Sequence, residues 1–166
     1  MRFPESLPRR GVQLAIAACL AFSAFVPALS GAFVSDDRVL IGGCENLTEA
    51  LFQRFWQAGG IERGQGLYAH AARPLVQLAL HLEQRLFGDD PAGFHLVNLL
   101  LHVLNSLLVL RLLERRSETR HASWPALFGA ALFAVHPAHA ESVAWISGGT
   151  DLWMTALWLV ALELFE

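Results

Sequence analysis

The chain has 166 residues, 54% of them hydrophobic and 16% charged, with a formal net charge of −3 and a mean hydropathy of +0.41. A soluble domain carries about 25% charged residues, so this composition excludes an ordinary water-soluble fold. All twelve basic residues are arginine, which reads as coding bias, and nothing in the charge balance points to a nucleic-acid partner.

The apolar residues fall into runs. A bilayer core of ~30 Å needs about 20 apolar residues per helix, and the runs predict spans over about 11–34, 94–114, 125–146 and 151–166. The first run follows Arg2, Arg9 and Arg10 and exits through Ala28-Leu29-Ser30, as a signal peptide would. It is far longer than the ~7–15 residues of a signal-peptide core, so it reads as an uncleaved anchor. Cys19 lies mid-span and Cys44 in a polar loop, so the two are not expected to pair.

Arginine placement sets the orientation. Arg2, Arg9 and Arg10 precede the first span, and Arg111, Arg115, Arg116 and Arg120 lie between the second and third. By the positive-inside rule both regions are cytoplasmic, which leaves 35–93 and the loop around His139 to Thr150 outside.

The outer loop is patterned. Asn46-Leu47-Thr48-Glu49 has capping-box spacing and precedes Leu51, Phe52, Phe55 and Trp56. Gly59-Gly60 and Gly64-Gln65-Gly66 break the chain. A second helix is predicted from Pro74 to Phe87, with a polar stripe (Gln77, His81, Gln84) and an apolar face (Leu75, Leu78, Leu82, Leu86). It is too short to span, which suits a helix lying along the membrane surface. Asp90-Pro91 then supplies an N-cap and a first-turn proline for the second span.

That span carries His95, Asn98, His102 and Asn105 at spacings that place them on one helix face. Polar groups at membrane depth are costly. They serve either helix–helix hydrogen bonding or the lining of an aqueous cavity. The last run, Leu152 to Glu166, covers ~22 Å at 1.5 Å per residue and reads as unfinished.

Three places could carry chemistry. Asp36-Asp37 lies just outside the first span, where a carboxylate could act as general base on a membrane-anchored substrate, or simply be solvated. His136-Pro137-Ala138-His139-Ala140-Glu141 could bind a metal, hold a phosphate or orient a hydroxyl, or be structural. Arg73 could grip a lipid phosphate with its planar fork, or snorkel from an interfacial helix. No P-loop, dinucleotide fingerprint, cysteine-pair zinc spacing or nucleophile elbow is present in the sequence.

The runs Phe94-His95-Leu96-Val97-Asn98-Leu99-Leu100-Leu101-His102 and His136-Pro137-Ala138-His139-Ala140-Glu141-Ser142-Val143-Ala144-Trp145-Ile146-Ser147-Gly148 resemble two signatures of one family. These are the tetratricopeptide-repeat-containing transmembrane O-mannosyltransferases and their bacterial relatives. Asp36-Asp37 and Arg73-Pro74-Leu75 fall in the family's order. The resemblance implies an all-α polytopic membrane bundle, the N-terminal fragment of a C-type glycosyltransferase-like fold in a bacterial inner membrane. It implies a polyprenyl-phosphate sugar donor, mannose being the family's sugar, and a Ser or Thr hydroxyl on an exported protein as acceptor. No organic cofactor is implied. Asp36 or Asp37 would be the base; Arg73, His136, His139 and Glu141 would hold phosphate or sugar; His95, Asn98 and His102 would line the cavity. Two positions depart from the family: Ala72 replaces its tyrosine, and Gly149 stands where the family has arginine. The competing expectation is a non-catalytic membrane anchor or a truncated product.

Overall fold

The computed structural model describes residues 10–35, 37–42, 74–117 and 124–165. Helix α1 spans Arg10–Phe25 and runs into a 3₁₀ turn at Val26–Ser30. Short α2 spans Asp37–Gly42, α3 spans Pro74–Phe87, and α4 spans Pro91–Arg116. Helix α5 spans Trp124–Val135, followed by a 3₁₀ turn at Pro137–His139, short α6 at Ala140–Ala144 and α7 at Gly149–Phe165. There is no strand among the described residues. The helix expected at residues 46–56 lies outside them.

The fold is all-α and membrane-associated. Two segments, Arg10–Ser30 and Pro91–Arg116, are long and apolar enough to cross a bilayer. Helix α4 is the centre, because α1, α3, α5, α6 and α7 all pack against it. It begins as the sequence dictates: Asp90 Oδ1 accepts from the Ala92 N–H at 3.1 Å, and Pro91 occupies the first turn, where its missing N–H costs nothing.

Small residues let the neighbours approach. Ala17 and Ala21 of α1 and Ala126, Ala130 and Ala134 of α5 recur every four residues, and all are buried. Ala17, Ala126, Leu127 and Ala130 close on Leu110 of α4. In lipid, where the hydrophobic effect does not drive helices together, such close backbone approach is a principal source of association. Large apolar side chains point outward instead: Phe128 is 72% exposed and Trp158 67%.

Ion pairs gather where α1 starts and α4 and α7 end. Arg10 meets Glu114 at 3.4 Å, and Glu163 meets Arg111 at 2.8 Å and Arg115 at 3.3 Å. The arginines are partly exposed, so each pair contributes little. Together they mark α1 as antiparallel to α4, and α7 as parallel to it.

The run expected as one span over 125–146 is not one helix. Helix α5 stops at Val135, and His136 is extended (φ −67°, ψ 128°), the conformation that a following proline favours. The chain then crosses to α7 through short turns and α6.

Helix α3 has the predicted bounds, but its faces are disposed for a membrane surface. Leu75, Leu82 and Leu86 are exposed, while Leu80, His81 and Glu83 are buried. Val76, Leu80 and Phe87 pack with Ile41, Phe94 and Ile146, and Glu83 stands at the same helical stripe. A carboxyl in that seam favours its neutral form, so burial pushes Glu83 up from 4.5 to about 7. Because the folded value is raised, the seat of α3 is most stable below the unfolded value, and the stability is lost as pH rises towards 7, by at most about 3 kcal/mol. Glu83→Gln is therefore expected to remove part of the fall in melting temperature between about pH 5 and about pH 8. An identical pH slope in the variant would show that Glu83 is not desolvated.

Candidate functional site

The C-terminal ends of α1 and α5, the N-terminal end of α4 and the turn before α7 converge on one region. The loop after α1 delivers Asp37. Its Oδ2 accepts from the Val34 N–H at 2.8 Å, while the Asp37 N–H donates back to the Val34 carbonyl at 3.2 Å. This reciprocal pair closes a tight turn in which Ser35 sits at φ 55°, a left-handed conformation that costs a non-glycine residue on the order of 1 kcal/mol. Asp37 Oδ1 accepts twice from Ser147, from the N–H at 3.0 Å and the Oγ at 2.5 Å. Asp37 is 1% exposed.

His95 lies beside this turn. The loop can pass only because residue 31 is glycine: a Cβ there would come within 2.7 Å of His95 Nε2 and 3.0 Å of the Ala28 carbonyl. Both ring nitrogens of His95 are buried without a hydrogen-bond partner, and so is the indole Nε1 of Trp145. Buried polar groups are normally paired, so these nitrogens stand out among the described residues.

The rest of the α4 stripe bonds to backbone. Asn98 Nδ2 donates to the Trp145 carbonyl at 3.2 Å and reaches the Ile146 carbonyl at 3.5 Å. His102 Nε2 donates to the Ala134 carbonyl at 2.9 Å, and Asn105 Nδ2 donates to the Leu152 carbonyl at 3.0 Å. Asn98 also explains residue 149: a Cβ at Gly149 would run into the Asn98 amide. In this arrangement an arginine at that position has no room.

A second group lies one turn along. The His139 ring centroid is 5.0 Å from that of His102, 4.4 Å from Phe133 and 6.2 Å from His136. Phe25 meets His102 edge-on at 4.9 Å. His136 is exposed, and its Nδ1 accepts from the Ala138 N–H at 3.2 Å, capping the turn that Pro137 starts. That bond makes Nδ1 the acceptor and leaves Nε2 to face outward. Glu141 is exposed in the first turn of α6. Among the described residues, no three His, Cys, Asp or Glu side chains are placed to hold a metal.

Thus Asp37 meets Ser147, His95 lies against Gly31 in the loop that delivers Asp37, His102, His136 and His139 form a second group, and Asn98 bonds to the turn that carries Ser147. Asp36 and Arg73 lie outside the described residues. Ser147 was not singled out from sequence, although it stands inside the Trp145-Ile146-Ser147-Gly148 run; a hydroxyl just before two glycines is the signal it offered.

Relatives carry this segment. The chain is 35% identical to protein O-mannosyl-transferase Tmtc1 of Drosophila melanogaster over 155 residues, covering 89% of the chain and 17% of that protein. It is 37% identical to protein O-mannosyl-transferase Tmtc2 of the same species over 142 residues, covering 80% and 14%. With protein O-mannosyl-transferase TMTC1 of Mus musculus it shares 34% over 175 residues, covering 96% and 18%. The chain is homologous to one segment of these O-mannosyl-transferases. It spans less than a fifth of the length of each of the three. No family model matches the chain, and no solved structure matches it.

The Gly31–His95 contact can be tested directly. Gly31→Ala is expected to destabilise the protein by about 1–3 kcal/mol, the usual cost of overpacking. Adding His95→Ala should recover part of the loss. Melting temperatures that simply add would show that the two residues do not touch.

Proposed function

We propose that this segment forms the outer, substrate-facing part of a membrane glycosyltransferase. It moves a sugar, mannose in the first instance, from a polyprenyl phosphate to Ser or Thr hydroxyls of an exported protein. The observation that carries the reading is a buried carboxylate joined to the Trp145–Gly148 turn at the outer end of apolar helices, in a chain homologous to proteins named protein O-mannosyl-transferases. The protein acceptor follows from those names. The lipid donor is what the family resemblance implies, and a site at the end of apolar helices supports it, since a polyprenyl chain could lie in the bilayer and present its phosphate at the surface.

The reaction is a displacement at the anomeric carbon. The Asp36–Asp37 pair supplies the base, which takes the hydroxyl proton as the acceptor oxygen bonds to that carbon. The bond from the anomeric carbon to the phosphate oxygen breaks, and the electron pair leaves with the lipid phosphate. Phosphate departs without help, so no partner carboxylic acid is needed, unlike in glycoside hydrolysis. Arg73, His136, His139 and Glu141 hold phosphate or sugar. His95 and Trp145, whose buried ring nitrogens have no hydrogen-bond partner among the described residues, offer further contacts to oxygen-rich ligands. The bundle sits in a bacterial inner membrane, with the arginine-rich end cytoplasmic and the site facing outward.

The test is transfer of labelled mannose from polyprenyl-phosphate mannose to an acceptor peptide, by membranes containing the full-length gene product. Transfer is expected, and Asp36→Asn should lower the rate by about 10²–10⁴, the range for loss of a general base. Absence of transfer by the wild type, with the protein folded and inserted, would overturn the reading in favour of a non-catalytic anchor.

A further inference from the structure

Both members of an acidic pair are natural candidates for a base, yet the described one is already committed. A carboxylate offers about four lone-pair sites. Asp37 uses three of them: the Val34 N–H on Oδ2, and the Ser147 N–H and hydroxyl on Oδ1. Its side chain is buried, and all three donors belong to loops rather than to α2, the helix it starts. An incoming hydroxyl would meet an acceptor oxygen that already holds two hydrogen bonds, or one that closes the Ser35 turn.

We propose that Asp37 is a positioning residue that works through Ser147, and that it does not take the substrate's proton. The contact joins residues 110 apart in sequence. It ties the loop after α1 to the Trp145–Gly148 turn, so the position of one fixes the other. That turn also carries the carbonyls that Asn98 holds and the Trp145 indole, whose nitrogen lacks a partner. Asp37 therefore orders groups from two separate parts of the chain, and Ser147 is the second residue of the device. Both donors of Ser147 converge on one oxygen, a charge-assisted arrangement stronger than a neutral pair. Asparagine cannot reproduce it: with the amide oxygen facing Ser147, the amide NH₂ would face the Val34 N–H, donor against donor.

The structural half of this proposal stands without the transferase reading; only the kinetic half rests on it. For the first, Asp37→Asn, Ser147→Ala and the double variant of the full-length gene product are compared by thermal unfolding and by protection of residues 31–35 from proteolysis. Each single variant should expose the loop, and the double variant should be little worse than either. The shortfall from additivity is expected to be about tenfold in the opening equilibrium, within the range for residues sharing a hydrogen-bond network. Ser147→Thr, which keeps both donors, should restore protection. Fully additive effects would overturn the proposal.

For the second, transfer rates are followed against pH. Asp37→Asn and Ser147→Ala should lower the rate by similar factors, each leaving measurable turnover, and the acid limb of the profile should keep its position in both. If Asp37→Asn abolishes transfer or removes the acid limb while Ser147→Ala leaves the rate near wild type, Asp37 is the base and the proposal fails. If the wild type itself transfers nothing, the transferase reading fails, and the stability cycle alone decides whether Asp37 and Ser147 act as one unit.

Discussion

The arrangement depends on how a chain stops being helical near an apolar bilayer. Between Val135 and Gly149 the backbone leaves α5, turns twice and re-enters a helix. Each interruption frees carbonyl groups that water cannot reach in lipid, and an unsatisfied one there costs several kcal/mol. Three side chains of α4 bond to carbonyls before, within and after this break. His102 donates to Ala134, in the last turn of α5; Asn98 donates at Trp145 and Ile146, in the turn itself; Asn105 donates to Leu152, in the first turn of α7. The polar stripe allows the break at depth, and the break allows a site.

Several features follow from that constraint. Because α4 must reach the broken segment, its neighbours have to lie close, which the alanine rows of α1 and α5 permit. Because Asn98 fills the space beside the start of α7, residue 149 has no room for a side chain. The family's arginine at that position would need Asn98 to move. Because the turn is pinned from the α4 side, Ser147 can present two donors to a carboxylate arriving from the loop after α1. Helix α3 then covers the start of α4, with Leu75, Leu82 and Leu86 exposed and an inner stripe that carries Glu83 between Leu80 and Phe87.

Much of this was legible in the sequence, for local reasons. The bounds of α3, the Asp90–Pro91 start of α4 and the shared face of His95, Asn98, His102 and Asn105 rest on periodicity and capping, which act over a few residues. The stripe's hydrogen bonds between helices were one of two open readings; His95, with both nitrogens unpartnered, departs from its three companions. What escaped was long-range or contextual. Nothing in the spacing of Asp37 shows that its oxygens meet a serine 110 residues away. Hydrophobicity alone suggested one span over 125–146, whereas Pro137 ends the helix and the α4 amides make the ending tolerable. For α3, the apolar stripe was evident, but which side faces inward depends on the solvent, and Glu83 went unnoticed at a core-like spacing.

The most direct test of this account is hydrogen exchange at the Gly148 and Gly149 amides, which donate to the Trp145 and Ile146 carbonyls, in wild-type protein and in Asn98→Leu. Leucine keeps the volume but removes both hydrogen bonds that tie the turn to α4, at a net cost of about 1–3 kcal/mol. Exchange at these two amides is expected to quicken roughly ten- to a hundred-fold, with the α1–α4 contact at Ala17 and Leu110 still protected. Unchanged protection in Asn98→Leu would contradict the account, because the turn would then hold its shape without α4.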